Sequence, residues 1–193
     1  MKRFGTLAML LSCALLVSVA GTGAQTPSPA AKDARNTKTW KIQNAMSAAP
    51  ASISKNATIL DWPAKEGAEP TVLRQGTNEW TCFPDDPSTP GNDPMCLDKT
   101  WLAWVKAWMA RKEFAPALPG IGYMLQGGST ASNTDPFATT PASGERWMKE
   151  QPHVMVIVPG ELDPKAHSSD PHSGGPWIMW GGTPYEHLMV PTK

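Results

Sequence analysis

The chain has 193 residues, and its 17 basic and 17 acidic side chains give a formal net charge of zero at pH 7. This balance excludes the strongly basic surface of a nucleic-acid-binding protein or of a protein held electrostatically on a membrane. The 20 prolines and 16 glycines indicate a loop-rich domain, and the nine tryptophans indicate that it folds, because so much indole surface needs a core or a partner.

The N-terminus has the pattern of a secretory signal peptide. Lys2 and Arg3 precede an apolar run over residues 4–20, and small residues follow at 21–24. We therefore expect removal of residues 1–24, which leaves no integral membrane segment and makes the protein periplasmic or secreted. A retained membrane helix and a lipoprotein acylated at Cys13 are the alternatives. Residues 25–37 predict a disordered tether, and residues 38–193 predict one globular domain.

Two of the three cysteines, Cys82 and Cys96, remain after signal cleavage. In an oxidising compartment an isolated pair forms a disulfide, and the lack of a Cys-x-x-Cys spacing disfavours a redox role. The segment between them contains four prolines, which predicts an irregular loop that the disulfide closes.

The first half of the domain predicts one helix and three strands. A weak apolar stripe predicts a helix over residues 38–49, which Pro50 ends. Residues 58–62 and 71–74 predict a β-hairpin. Residues 79–83 alternate polar and apolar side chains, which is typical of a half-buried strand.

The most regular pattern in the chain begins at Asp98. Apolar residues follow the i, i+3, i+4, i+7, i+8 spacing of an amphipathic helix: Trp101, Trp104, Val105, Trp108 and Met109. Asp98 or Thr100 can cap this helix, Arg111 and Lys112 suit its C-terminal dipole, and Pro116 prevents its extension. The tryptophan stripe is either a stacking surface for sugars or part of the core, and its period favours the core.

The second half predicts more strands and one long loop. Residues 121–125 predict a strand, residues 127–144 a polar loop, and the apolar run 154–158 a central strand buried on both faces. Residues 177–180 and 187–190 predict two further strands, separated by a turn at Gly181 and Gly182. The predicted fold is α+β: a mostly antiparallel sheet with one or two packed helices, rich in loops and closed by one disulfide.

One candidate site is a cluster of histidines near the C-terminus. His153, His167 and His172, together with Asp170, offer the imidazole and carboxylate ligands that zinc takes, and thus predict a candidate metal site. The alternative is that these are solvated loop histidines and a histidine at a strand end. Glycine-rich nucleotide motifs, His-Glu-x-x-His, Gly-x-Ser-x-Gly and Cys-x-x-Cys-His are all absent from the sequence.

A second candidate site combines the long loop with the C-terminal strands. Trp177 and Trp180 stand beside glycines, where backbone can approach a ligand closely, and Tyr185 follows them. Long polar loops in compact domains often carry function. We therefore predict a ligand-binding site formed by these three aromatic residues together with Asn133 and Asp135.

Four sequence strings resemble those of a family of exported bacterial proteins that has no assigned activity. They are GTNEWTC at 76–82, PGNDPMCLD at 90–98, ASNTDP at 131–136 and MWGGTPY at 179–185. The resemblance spans most of residues 50–191. It implies an exported single domain and carries no catalytic residue, cofactor or mechanism.

Three hypotheses for the function follow from these observations. The first is a non-catalytic binding module for a small molecule or glycan, with its site between residues 127–144 and 177–185. The second is a metal-dependent hydrolase that uses the histidine cluster with zinc. The third is a structural envelope protein that associates with itself.

Overall fold

An eight-stranded sheet organises the chain. The structure is a computed structural model that describes residues 35–65 and 67–192. The predicted signal peptide and residues 25–34 of the predicted tether lie outside the described residues. Thr37, at the end of that tether, accepts a hydrogen bond from the Trp40 N–H and so caps the first helix.

The described part of the chain contains three helices and ten strands. The helices are α1 (Lys38–Met46), α2 (Ala51–Ser54) and α3 (Lys99–Met109). The strands are β1 (Thr58–Asp61), β2 (Thr71–Arg74), β3 (Thr81–Phe83), β4 (Met95–Leu97), β5 (Gly120–Met124), β6 (Gly128–Thr130), β7 (Met148–Glu150), β8 (His153–Ile157), β9 (Trp177–Met179) and β10 (His187–Pro191).

The main sheet has the strand order β2-β1-β3-β4-β5-β8-β10-β9, and β6 and β7 form a separate antiparallel ribbon. Within the main sheet only β1 and β3 run parallel, and the other neighbours are antiparallel. This arrangement confirms the predicted α+β fold with a mostly antiparallel sheet. The ribbon corrects the prediction of an irregular loop over 127–144, because the loop begins as β6 and pairs with β7.

Helix α1 packs on the half of the sheet that contains the disulfide. Ala45 and Ala48 are fully buried there, and their small side chains let the helix approach Ile59, Cys82 and Cys96 closely. Cys82 and Cys96 lie directly opposite each other on β3 and β4, and their disulfide confirms the predicted pair.

The segment closed by the disulfide is more ordered than predicted. Residues 95–97 form β4, which pairs with β3 on one side and β5 on the other. The prolines at 84–94 predicted irregular structure throughout, but pairing with two distant strands overrides local propensity at the end of the segment.

The larger core lies on the other face of the sheet, beneath α3. Trp101 and Trp104 of α3 are 2% and 4% exposed, and they pack against Met155 and Ile157 of β8. The helix prediction is therefore confirmed, and the assignment of its stripe to the core is confirmed for Trp101, Trp104 and Val105, whereas Trp108 and Met109 are half-buried. Strand β8 alternates between buried and half-buried residues, so the prediction that it is buried on both faces is wrong. The reason is that α1 packs mainly on β1–β4, which is the half of the second face away from β8.

No helix in the described part of the chain combines the length and the apolar character needed to cross a membrane.

The carboxylate of Asp98 joins α3 to the sheet. Its Oδ1 accepts the Trp101 N–H at 2.9 Å as an N-cap, and its Oδ2 accepts the Ile121 N–H of β5 at 2.5 Å. We expect Asp98→Ala to lower the free energy of unfolding by about 1–3 kcal/mol, because both donors lose their acceptor. Urea denaturation measures the change.

Asp98→Asn provides the matched comparison, since its amide oxygen can keep one of the two hydrogen bonds. Its stability should fall between that of the wild type and that of Asp98→Ala. Equal stability of Asp98→Ala and the wild type would show that the carboxylate does not hold the helix on the sheet.

Candidate functional site

A cluster of aromatic rings fills the space between α3, the end of β9 and the loop at residues 131–137. Trp104 stands at its centre, with ring centroids 4.8 Å from Trp101, 5.7 Å from Trp180 and 5.7 Å from Tyr185. The imidazole of His187 meets Trp104 edge to face at 5.6 Å. These are the offset-stacked and edge-to-face arrangements that aromatic rings prefer.

Three rings form the outer, half-buried layer of this cluster: Trp108, Phe137 and Trp180. We call these three residues the aromatic platform. The indoles of Trp108 and Trp180 are parallel within 10°, with centroids 6.4 Å apart. Both are also near-parallel to the buried Trp104 beneath them, at 15° and 6°. The two half-buried indoles of the platform and the buried Trp104 thus lie in near-parallel planes.

Hydrogen bonds to the 131–137 loop hold both indoles in place. The Trp108 N–H donates to the Pro136 carbonyl at 2.8 Å, and the Trp180 N–H donates to the Ser132 carbonyl at 2.9 Å. A half-buried indole held by its N–H and by stacking has little freedom to rotate. The loop thus supplies the acceptors that orient the platform.

Trp180 has a left-handed backbone conformation, with φ of +54°. This region is rare for a bulky side chain and costs on the order of 1–3 kcal/mol unless the surroundings enforce it. Here the Trp180 backbone N–H donates to the Asn133 carbonyl at 2.8 Å, and its carbonyl accepts the Thr183 hydroxyl at 2.7 Å. These contacts hold the backbone in a conformation that glycine would adopt more easily.

Arg111 has the second left-handed backbone at this site, with φ of +52°. Its N–H donates to the Trp108 carbonyl at 3.0 Å, and the Lys112 N–H donates to the Ala107 carbonyl at 2.9 Å. These two bonds form a Schellman motif, in which glycine usually occupies the position of Arg111. The Arg111 guanidinium lies 4.5 Å from the Phe137 ring centroid. Among the described residues, Arg111 and Trp180 are the two non-glycine residues with positive φ, and both border the platform.

The structure brings three of the five predicted ligand-binding residues together. Trp180 belongs to the platform, and Asn133 donates from Nδ2 to the carbonyls of Ser169 at 3.0 Å and Ile178 at 3.2 Å. Asp135 is exposed at the rim, and its carboxylate accepts the Phe137 N–H at 2.9 Å. Residues 127–144 and residues 177–185 thus contact each other at the 131–137 loop, as predicted.

The other two predicted ligand-binding residues lie in the core. Trp177 is 3% exposed and Tyr185 is 4% exposed, so neither ring is available at the surface. Trp177 is on β9, where it faces the large core. The Tyr185 hydroxyl donates to the Lys112 carbonyl at 2.8 Å and supports the end of α3.

The four predicted metal ligands are not assembled into a metal site. His153 begins the buried strand β8, whereas Asp170 and His172 are exposed on the loop before β9, and His167 is half-buried there. The Asp170 carboxylate accepts the backbone N–H of His172 at 2.8 Å, which is a local turn interaction. Within residues 35–65 and 67–192, no group of three or more His, Cys, Asp or Glu side chains is arranged to hold a metal ion.

His153 instead pairs with a carboxyl group that sequence reasoning missed. Its Nε2 lies 3.9 Å from Oε2 of Glu150, and the two side chains are 0% and 6% exposed. Burial raises the pKa of Glu150 to about 8, and the nearby charge of Asp93 adds to this shift. Burial also lowers the pKa of His153 to about 4, although its hydrogen bond to the Gln151 carbonyl opposes the shift. Both groups are therefore uncharged near neutral pH, and their burial leaves them beyond the reach of a substrate.

Two shallow grooves flank the start of α3, away from the predicted site. The first, of about 250 Å³, is lined mostly by apolar residues of α3 and of residues 114–118. The second, of about 290 Å³, lies between Trp80 and Asp98 and is bordered by the ion pair of Lys99 with Glu79. Neither groove is lined by a predicted ligand-binding or metal-ligating residue.

Comparison with protein-family models, curated proteins and solved structures finds no match. The resemblance to a family of exported proteins therefore stays a prediction.

Buried titratable groups predict that the stability of the fold decreases as the pH rises above 6.5. Glu150 holds its proton in the folded state up to about pH 8. Its contribution to the free energy of unfolding is therefore lost as the pH rises from the pKa of this group in the unfolded state toward 8. His153 and His187 have pKa values lowered to about 4, so their contribution is lost as the pH falls below 6.5. Asp85, whose pKa burial raises to about 7, loses its contribution as the pH rises toward 7, and together with Glu150 it offsets the effect of the two histidines below pH 6.5.

We expect the free energy of unfolding to fall by about 1–2 kcal/mol between pH 6.5 and pH 8, at roughly 1.4 kcal/mol per proton and pH unit. Glu150→Gln should reduce this fall, because the amide mimics the protonated carboxyl and does not ionise. The exposed Glu145→Gln is the control and should leave the profile unchanged. Parallel profiles for the wild type and Glu150→Gln would contradict the raised pKa.

Proposed function

We propose that this protein is an exported, non-catalytic binding module for a glycan or another flat-faced small molecule, with its site at the aromatic platform. The observation that carries the proposal is the pair of near-parallel, half-buried indoles of Trp108 and Trp180, held by hydrogen bonds to one loop. Pyranose rings and planar molecules present apolar faces of the size of an indole, and such faces stack on fixed aromatic rings.

The rigidity of the platform favours binding. A ligand that stacks on rings already held in place loses less affinity to side-chain ordering than one that must immobilise free side chains. The left-handed backbone at Trp180 supports the same interpretation, because strained conformations that the surroundings enforce occur often at functional sites.

Polar groups at the rim are suited to hydrogen bonds with hydroxyl groups. Asp135 is exposed beside Phe137, and Arg111 is exposed above it. Sites for small molecules commonly combine an apolar surface with a few placed polar groups that fix the orientation of the ligand. The groups at the platform thus supply stacking, hydrogen bonding and charge, which are the elements of recognition.

Export is the second part of the proposal. It rests on the signal-peptide pattern of residues 1–24, and the Cys82–Cys96 disulfide supports it, because disulfides form and persist in oxidising compartments. Cell-wall and extracellular polysaccharides are abundant in those compartments, so a glycan is the ligand that fits both the location and the platform.

Replacement of a platform indole tests the proposal. We expect the wild type to bind at least one member of a panel of neutral and acidic oligosaccharides and insoluble polysaccharides, measured by array, pull-down and calorimetry. Trp108→Leu should weaken this binding at least tenfold, because it removes one of the two stacking rings.

Trp62→Leu is the matched control. Trp62 is also half-buried, and its N–H also donates to a proline carbonyl, that of Pro84 at 2.8 Å, but it stacks on Phe83 away from the platform. We expect this variant to bind like the wild type. Absence of saccharide binding by the folded wild type, or equal loss in both variants, would refute the proposed function.

A further inference from the structure

We propose that the ligand of the platform is an anionic glycan whose carboxylate groups bind the guanidinium of Arg111. This inference rests on the proposed function and names the class of ligand. It follows from the position, the surroundings and the backbone conformation of Arg111.

The guanidinium is placed beside the stacking surface. Arg111 lies two residues beyond the end of α3 in the left-handed conformation, and its guanidinium lies 4.5 Å from the ring centroid of Phe137, a member of the platform. A sugar ring stacked on the platform thus brings its carboxylate toward the guanidinium. A uronate residue supplies both the ring and the carboxylate.

The guanidinium also rests on an aromatic face. It lies 4.5 Å from the centroid of Phe137, and Phe137 in turn meets Tyr185 edge to face at 5.4 Å. Stacking on an aromatic face constrains the guanidinium plane and leaves its N–H groups directed outward along their edges, where a carboxylate accepts two of them at once.

Arg111 has no anionic partner in the described part of the chain. Three cations in the described part of the chain form ion pairs: Lys41 with Asp61 at 2.7 Å, Lys99 with Glu79, and Arg35 with Asp85 at 3.9 Å. The exposed guanidinium of Arg111 forms no ion pair with a described residue and rests on a ring. Its hydrogen-bond donors are thus free to receive an anion.

The backbone supplies the second, independent observation. Arg111 occupies the Schellman position with φ of +52°, where glycine adopts the same conformation without strain. The backbone conformation alone therefore favours glycine at this position, and what the arginine side chain adds is a cation near the C-terminal end of α3 that rests on Phe137. Trp180, which has the other left-handed non-glycine backbone, belongs to the same platform.

The experiment compares acidic saccharides with their neutral counterparts. Oligomers of galacturonate, glucuronate and mannuronate are each measured beside the methyl ester of the same oligomer, which keeps the ring and removes the charge. We expect the wild type to bind at least one acidic oligomer tenfold or more tightly than its ester, with a preference that declines as salt is added.

Arg111→Gly is the decisive variant, because it removes the side chain and relieves the backbone. Its thermal midpoint should equal or exceed that of the wild type, and its preference for the acid over the ester should disappear. Arg111→Lys should keep part of the preference, since it keeps the charge but loses the two-pronged geometry. Lys106→Gln, which removes another exposed cation of α3, should retain the full preference.

The outcomes separate the two proposals. If ester and acid bind the wild type equally, the anionic ligand is refuted while the glycan-binding function stands. If Arg111→Gly keeps the preference, or Lys106→Gln loses it equally, the assignment to Arg111 is refuted. If neither form of any saccharide binds the wild type, the proposed function falls, and this inference falls with it.

Discussion

The burial of tryptophan is the constraint on which the rest of this structure depends. Trp101 and Trp104 fasten α3 to the sheet, and Trp104 also forms the base on which Trp108 and Trp180 stack. Each indole brings a large apolar surface and one N–H that needs an acceptor. The first property builds the core, and the second determines where the 131–137 loop lies, because its carbonyls accept the N–H groups of the outer rings.

The same constraint explains why the candidate site lies at an edge of the core. Rings fully inside the cluster, such as Tyr185, serve packing and support the end of α3. Rings in the outer layer are oriented by the buried ones and still reach solvent. The platform is thus continuous with the buried aromatic cluster, and the left-handed backbones of Arg111 and Trp180 lie at its edge.

Three titratable groups with shifted pKa values are buried. Desolvation removes the charge of Glu150, His153 and His187 near neutral pH, and His187 packs edge to face on Trp180 of the platform at 5.3 Å. Charge at the platform comes instead from exposed Arg111 and Asp135. The groups that burial neutralises are thus distinct from the exposed groups that carry charge at the platform.

Sequence by itself determined the elements whose signal is local. The periodic stripe of α3, the β1–β2 hairpin, the C-terminal strands and the Cys82–Cys96 pair all followed from short-range patterns. Only the tertiary structure decided β4 and the β6–β7 ribbon, because their strand partners are distant in the chain. It also separated His153 from His167 and His172, and it placed Trp177 in the core but Trp180 at the surface. The left-handed backbone of Trp180 also depends on the tertiary structure, since its N–H donates to the carbonyl of Asn133 in another segment.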